Sequence, residues 1–265
     1  MNEKPILQDG QNFENVLDVI RQFTGSELLD KKDIAKKRLN DFAVCKNISS
    51  FEQLMNKIIV DRVLRQEVIN LITVNETYFY REVHQLESGI YHCKKSDWQT
   101  HILCAPCSSG EEVYSLGMIA YSLGLDKSML SITGVDINSE AINKANLGEY
   151  SERALQKLSL SQKNIFFDKK DDGNYKIKKQ LMPRLNFRVI NVFDYNFEKM
   201  GKYDIIYSRN MLIYFNNEFR LKAIEAFYKL LNPGGRLYVG SADTVPFTDV
   251  FKKSSELGIS FYEKI

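Results

Sequence analysis

The fold is decided by HILCAPCSSGEEVYSLGMIAYSLG, residues 101–124. Its apolar beginning, HILCA (101–105), predicts a buried strand, and the loop that follows leads into a helical pattern. The same alternation continues along the chain. Further strands are predicted at LSITGVD (130–136), LNFRVI (185–190), YDIIYS (203–208), RLYVGS (236–241) and SFYEKI (260–265), and helices at 139–148 and 217–231. This alternation predicts an α/β fold with an open parallel sheet, whose ligands bind at the carboxyl ends of the strands.

The residues before this stretch have a different pattern. Residues 11–73 contain four helical patterns without a strand signal, which predicts a small helical domain. Ser50, with Gln53 three residues later, is expected to cap the third helix. We therefore expect an N-terminal helical domain over 1–73, a linker and cleft segment over 74–99, and a sheet domain over 100–265.

One stretch inside the sheet domain breaks the alternation. FFDKKDDGNYKIKKQL (166–181) has the turn signal DDGN between two short segments. It predicts a small antiparallel hairpin inserted at about 166–184.

Charge and composition narrow the classes of function. The 265 residues include 36 basic and 34 acidic side chains, and this balance argues against a nucleic-acid binder. No run of about 18 apolar residues and no signal-peptide pattern is present, so no membrane insertion is expected. The four cysteines are expected to be reduced, in a cytoplasm.

Polar residues follow the first two predicted strands. After HILCA, Gly110 lets the backbone pass close to a ligand, and the carboxylate of Glu111 suits a cationic amino group. Alternatively, Glu111 and Glu112 only complement the helix dipole. Asp136 ends the second strand, where an acidic residue typically binds ribose hydroxyls. It could instead cap the next helix, although Asn138 or Ser139 can do so.

Polar residues also follow two later strands. Asn191 and Val192 come after LNFRVI, where an amide and its backbone can read an adenine edge, although Asn is also a common turn residue. Arg209 and Asn210 follow the strand YDIIYS and are expected to face the cleft, with Tyr214 closing over it. The alternative is a loop held by an arginine and packed aromatic side chains.

A fifth motif, NETYFYR (75–81), lies between the two predicted domains. An aromatic cluster beside Asn, Thr and Arg suits a cleft at a domain junction, and the alternative is a packed linker.

With these motifs in order, the sequence resembles the CheR family of chemotaxis receptor glutamate methyltransferases. The resemblance covers roughly residues 11–265 and rests on five stretches: NETYFYREVHQLE (75–87), CSSGEEVYSLGM (107–118), GVDINSEAINKANLGEY (134–150), YDIIYSRNMLIYFN (203–216) and LNPGGRLYVGSAD (231–243). It implies a Rossmann-like class I methyltransferase sheet with an N-terminal helical domain and a small inserted antiparallel β subdomain. It also implies S-adenosylmethionine as cofactor, S-adenosylhomocysteine as product, and glutamates on the cytoplasmic methylation helices of receptors as substrate.

The resemblance also implies roles for single residues. Arg81 and Tyr214 would lie nearest the transferring methyl group, and Glu111 would hold the methionine amino end. Asp136 would bind the ribose hydroxyls. The remaining cofactor residues implied are Asn75, Thr77, Asn191, Val192, Arg209 and Asn210, with Arg81 shared between both roles.

The sequence departs from the family pattern at three places. Val113 stands where Pro is usual, and Tyr80 where a second Phe is usual. The loop at 170–174 is short, whereas a longer loop accompanies docking to a peptide tether at the receptor C-terminus. The short loop therefore predicts that no such tether is used.

The expected chemistry needs no general base, because a glutamate carboxylate is already ionised at neutral pH. We expect Arg81 to orient that carboxylate and Tyr214 to line the transfer channel. Substrate docking is expected on the basic residues Lys32, Lys36, Lys37 and Arg38, flanked by Lys31 and Lys46. The alternative is an ordinary solvated helix face.

Three other readings remain open. Cys104 and Cys107 form one C-x-x-C, which could indicate zinc or redox chemistry, but a second pair at suitable spacing is missing. A methyltransferase acting on RNA or on a small acid is a second possibility. The third is a non-catalytic binding protein that kept the fold.

Overall fold

The computed structural model describes Leu7, residues 10–27 and residues 32–265, which form two compact units. The helical unit comprises the described residues up to Val74 together with Tyr214–Phe219. The sheet unit comprises Asn75–Ile213 and Arg220–Ile265.

The helical unit is built from α1 (Gly10–Thr24), α2 (Lys32–Cys45), α3 (Phe51–Val60) and α4 (Arg62–Ile72). Phe13 and Phe51 lie in its core with ring centroids 5.2 Å apart. The predicted cap of the third helix is confirmed, since the Gln53 amide donates to Ser50 Oγ at 3.1 Å. A bridge between Ser26 and Phe215 joins the later segment to this unit.

The sheet unit alternates strands and helices as expected. In chain order its elements are α5 (Val83–Lys94), β1 (Thr100–Cys104), α6 (Glu111–Ser122), β2 (Leu130–Asp136), α7 (Ser139–Leu147), β3 (Glu149–Tyr150), α8 (Leu160–Phe166), β4 (Phe167–Lys169), β5 (Tyr175–Ile177), β6 (Arg184–Val189), α9 (Tyr195–Glu198), β7 (Tyr203–Ser208), α10 (Asn217–Leu230), β8 (Leu231–Val239), β9 (Phe251–Glu256) and β10 (Ile259–Lys264). The first residues of α10 group with the helical unit.

Seven strands form one sheet in the order β6-β2-β1-β7-β8-β10-β9. The pairs from β6 to β8 are parallel, whereas β10 runs antiparallel to both neighbours. The chain leaves β1 first toward β2 and later returns to β7 on its other side. The strand order therefore reverses between β1 and β7, and ligands of such sheets bind at this point. The predicted α/β fold class is confirmed.

The inserted hairpin is also confirmed. β4 and β5 pair antiparallel, and the Lys170 amide donates to the Asn174 carbonyl at 2.8 Å across the short turn. β3, which lies before the predicted insertion, adds a third strand to the order β3-β5-β4.

Two elements were not expected. The segment 74–99 contains α5, whose apolar spacing is interrupted by Gly89. A Cβ at Gly89 would lie 1.9 Å from Tyr207 Oη, so the helix needs glycine to approach the sheet. β9 forms the sheet edge with mostly polar residues. None of the described helices has the length and apolar character needed to cross a membrane.

Candidate active site

Four loops at one edge of the large sheet carry predicted site residues. They follow β1, β2, β6 and β7, which are parallel neighbours. Glu111, Asp136, Asn191 and Arg209 stand in or beside these loops. Since the carboxyl ends of parallel strands meet at one edge, the topology brings these four positions to the same side of the sheet.

Asp136 connects two of these loops. Its Oδ2 accepts the Ser108 amide at 2.8 Å, and its Oδ1 accepts the Asn138 amide at 2.9 Å. Burial raises the pKa of Asp136 to about 6. The capping alternative is wrong for this residue, because the Asn138 side chain caps α7 by accepting the Ala141 amide at 2.9 Å.

Glu111 is a buried carboxylate at the start of α6, with 4% exposure. The Ser109 hydroxyl lies 2.9 and 2.8 Å from its two oxygens and is the donor to them. Burial raises the pKa of Glu111 to about 7, and Lys144 opposes that rise only as a smaller electrostatic effect. A cationic ligand group would therefore stabilise the ionised form of this side chain.

Gly110 lets the chain enter α6 in this position. Its φ is +92°, and a Cβ there would lie 2.8 Å from Ala145 Cβ. Any larger residue would be strained in backbone and in packing.

The side chain of Asn191 stabilises a turn, which was the alternative for this residue. Its Oδ1 accepts the Phe193 amide at 3.0 Å, and Val192 beside it is buried. Their contact with an adenine remains a prediction.

Arg209 is buried among protein partners. Its Nη1 donates to Glu112 Oε2 at 2.7 Å, and its Nη2 donates to the Arg81 carbonyl at 2.5 Å. This matches the alternative of a loop held by an arginine, and contact of Arg209 with a cofactor remains a prediction. Burial raises the pKa of Glu112, although Arg209 acts against that rise.

Asp243 organises the loop after β7, and sequence reasoning gave it no role. Its carboxylate accepts the amides of Asn210, Ile213 and Gly240. Burial raises the pKa of Asp243, while these hydrogen bonds lower it. The sequence offered one signal for this role, since Asp243 is a carboxylate that follows the predicted strand 236–241 by two residues. Asn210 itself has φ +58°, so Asp243 holds it in a conformation that few side chains adopt.

Arg81 lies in a backbone segment with two left-handed residues, Tyr80 at φ +62° and Glu82 at φ +48°. The Arg81 side chain is half-buried, and its Nη1 donates to the Glu76 carbonyl at 2.8 Å. Of the other predicted cleft residues, Asn75 is exposed and Thr77 is half-buried.

The remaining predicted residues belong to the helical unit. The backbone carbonyl of Tyr214 accepts a hydrogen bond from the Glu27 amide at 2.7 Å. A role of the Tyr214 side chain in methyl transfer remains a prediction. Lys32 pairs with Glu14, and Arg38 donates to the Leu71 carbonyl at 3.2 Å. Lys36 is half-buried and Lys37 is exposed, whereas Lys31 lies outside the described residues.

The burial of Cys104 and Cys107 argues against zinc or redox chemistry at the C-x-x-C. Cys104 and Cys107 are buried, and burial raises their pKa values well above the ordinary range. Protonated thiols are poor ligands and nucleophiles. Within the described ranges, no three His, Cys, Asp or Glu side chains come together as a metal site would require.

The site residues suit a cofactor that carries hydroxyl and ammonium groups. Glu111 offers a carboxylate whose ionisation a cation would favour. Among the atoms of the described chain, Ser108 Oγ and Ser208 Oγ are buried and have no hydrogen-bond partner. Ser108 lies in the loop after β1 and Ser208 is the last residue of β7, and the strand order reverses between these two strands.

Known proteins match this chain over much of its length. Residues 75–258 match the family model described as "CheR methyltransferase, SAM binding domain". A "Chemotaxis protein methyltransferase" of Campylobacter jejuni is 44% identical over 99% of this chain and 100% of its own length. "Chemotaxis protein methyltransferase 2" of Vibrio cholerae is 37% identical over 68% of this chain and 66% of its own length.

Solved structures resemble the chain more weakly. Magnesium protoporphyrin IX methyltransferase from Synechocystis, solved with bound SAM, is 12% identical with a TM-score of 0.40, covering 81% of this chain and 90% of its own. The predicted cofactor, S-adenosylmethionine, is confirmed by the family model, which describes a SAM-binding domain. The chain belongs to the CheR methyltransferase family.

Proposed function

We propose that the chain methylates glutamate side chains on the cytoplasmic helices of chemotaxis receptors, giving glutamyl methyl esters. The observation that carries the proposal is the presence of two buried carboxylates, Glu111 after β1 and Asp136 at the end of β2, in a chain that belongs to the CheR family. S-adenosylmethionine, when bound, supplies an activated methyl group. The protein then needs to orient an already ionised carboxylate and to exclude water.

The cofactor residues divide by the chemistry of their side chains. We assign Glu111 to the cationic amino group and Asp136 to the ribose hydroxyls. Asn191 and Val192 would lie along the adenine, and Asn210 would close the pocket through the loop that Asp243 holds. Asn75 and Thr77 are assigned to the same pocket by resemblance.

Arg81 is the residue assigned to the substrate carboxylate. Arg81 is half-buried, and one donor of its guanidinium is engaged by the Glu76 carbonyl at 2.8 Å. The remaining donors can hydrogen-bond a carboxylate and hold its direction. A close ion pair would weaken the nucleophile, so Arg81 orients the carboxylate without neutralising it.

The hairpin between β4 and β5 supports independence from a receptor tether. Its turn is closed between Lys170 and Asn174, which leaves a short loop. We propose that the enzyme recognises the methylation helices directly, through the basic face of α2.

The proposal is tested by transfer of radiolabelled methyl from S-adenosylmethionine to receptor cytoplasmic fragments. We expect label on the fragment, released as methanol by mild alkali, since esters hydrolyse there and methylated amines do not. Fragments with and without the C-terminal tail should be labelled equally. Alkali-stable label, or no label despite calorimetric cofactor binding, would contradict receptor glutamate methylation.

A further inference from the structure

We propose that the buried Arg209 forms a clamp with Glu112 and the half-buried Glu82, and that this clamp positions Arg81, with none of the three touching the reacting atoms. The inference rests on the proposed role of Arg81 in orienting the substrate carboxylate. It assigns positioning roles to Glu82 and Glu112, and it gives the Arg209 side chain a role distinct from contact with the cofactor.

The clamp is centred on the guanidinium of Arg209, whose side chain is 2% exposed. Nη1 donates to Glu112 Oε2 at 2.7 Å, and Nη2 donates to the Arg81 carbonyl at 2.5 Å. Nη2 also lies 3.6 Å from Glu82 Oε2. The planar guanidinium thus connects the start of α6 and the end of β7 with the backbone of Arg81 itself.

The backbone that the clamp holds is strained. Tyr80 and Glu82, on either side of Arg81, have φ of +62° and +48°. Left-handed conformations of residues other than glycine persist only where surrounding contacts enforce them. Two such contacts flank the clamp, since the Tyr80 amide donates to Ser115 Oγ at 3.1 Å and the Ser241 hydroxyl lies 3.3 Å from Glu82 Oε1.

The clamp is not arranged for stability alone. In the described part of the chain, Arg209 Nε is buried without a hydrogen-bond partner. A buried ion pair with an unsatisfied donor contributes little net stability, because the cost of removing both charges from water is not fully recovered. We therefore assign this ion pair a role in conformational control, in which it fixes the backbone of Arg81 and so the direction of its guanidinium.

The first test measures the backbone without any activity. In Glu112→Gln the acceptor remains but the charge that holds Arg209 is lost. Amide hydrogen exchange at residues 78–83 should then become about tenfold faster, as local opening becomes easier. Glu140→Gln is the matched control, because Glu140 is an exposed glutamate in the first turn of α7 and Glu112 lies in the first turn of α6.

Exchange at wild-type rates in Glu112→Gln would overturn the clamp, whether or not the protein methylates receptors. If Glu112→Gln does not fold, Glu82→Gln replaces it, since that variant leaves the closer pair of Arg209 and Glu112 intact. Faster exchange together with a wild-type protein that labels no receptor would contradict the proposed function and still support the clamp.

The second test asks whether the clamp acts through Arg81. Glu112→Gln should lower kcat for methyl transfer about tenfold, with the Kd for S-adenosylmethionine changed less than about threefold. In an Arg81→Ala background, the same substitution should change kcat by less than about twofold, because its target is already gone. An equal loss of kcat in both backgrounds would indicate a general structural role and overturn the proposal.

Discussion

Glu111 and Asp136 are two carboxylates that the fold buries at its ligand edge, and burial raises their pKa values to about 7 and about 6. In both cases the folded-state pKa lies above the ordinary value. Between those values the folded protein binds more protons than the unfolded chain, so its stability falls as pH rises through that window. With respect to these groups, the ligand-free protein is therefore more stable near pH 5 than above about pH 7.

For Glu111→Gln we expect greater stability of the ligand-free protein at about pH 8 and little change near pH 5. The rise of the Glu111 pKa from 4.5 to about 7 corresponds to about 3 kcal/mol. Thermal unfolding should therefore shift upward by roughly 5 °C at the higher pH. S-adenosylmethionine should no longer raise the unfolding temperature. A lower unfolding temperature at pH 8 would contradict burial as the dominant effect.

For Arg81→Ala we expect kcat for methyl transfer to fall about 100-fold, because the substrate carboxylate loses its orienting donor. Because Arg81 is one of several residues predicted to contact the cofactor, the calorimetric Kd of S-adenosylmethionine should rise by less than about tenfold, clearly less than kcat falls. Arg81→Lys should recover only part of kcat, since an ammonium lacks the planar fork of a guanidinium. Full turnover of Arg81→Ala with normal cofactor affinity would exclude the orienting role.

At the scale of elements, the loop after β7 depends on a residue that comes after β8. The Asp243 carboxylate accepts amides from Asn210, Ile213 and Gly240, and so connects two loops at the ligand edge. A Cβ at Gly240 would lie 2.8 Å from the Asn210 nitrogen, which shows how closely these two loops approach. The position of Asn210 is therefore set by both strands.

For Asp243→Ala we expect the affinity for S-adenosylmethionine to fall about tenfold or more, because three backbone donors lose their acceptor and Asn210 can leave its left-handed conformation. Isothermal calorimetry measures the change. Asp249→Ala, in the same loop and exposed, is the control and should bind like wild type. Unchanged affinity in Asp243→Ala would mean that the loop after β7 does not shape the pocket.

The sequence predicts elements best where burial alone determines them. β2 and β7 have the predicted bounds because both lie inside the sheet, where most of their residues are buried. β9 was missed because an edge strand needs few apolar residues, and only Phe251 of its six residues is buried.

Asp136 and Glu111 could be proposed from their positions after strands. The acceptor role of Asp243 and the partners of Arg209 could not, because they depend on contacts between distant segments.

At the scale of the whole molecule, the residues proposed for substrate docking and those proposed for cofactor binding belong to different units. The predicted docking residues lie in the helical unit, whereas the predicted cofactor residues lie in the sheet unit. Lys37 and Arg38 are exposed on α2. Interactions between exposed charges are weakened by salt, so docking through this face should depend on ionic strength.

For Lys37→Glu combined with Arg38→Glu we expect KM for receptor fragments to rise about tenfold, with the Kd of S-adenosylmethionine unchanged. Raising the salt concentration should narrow the difference from wild type. Lys252→Glu combined with Lys253→Glu makes the same charge change on exposed residues of β9 and should leave KM as it is. An equal rise of KM in both double variants would point to net charge and exclude a docking face on α2.

The helical unit is closed by residues that the ribosome makes much later. Ser26 pairs with Phe215, and the Glu27 amide donates to the Tyr214 carbonyl at 2.7 Å. At about 5–20 residues per second, Tyr214 is synthesised roughly 7 to 28 seconds after Val74. The first helices to emerge therefore wait in an incomplete state until most of the large sheet has been translated. The helical unit can therefore be completed during translation only after the chain has been synthesised past β7.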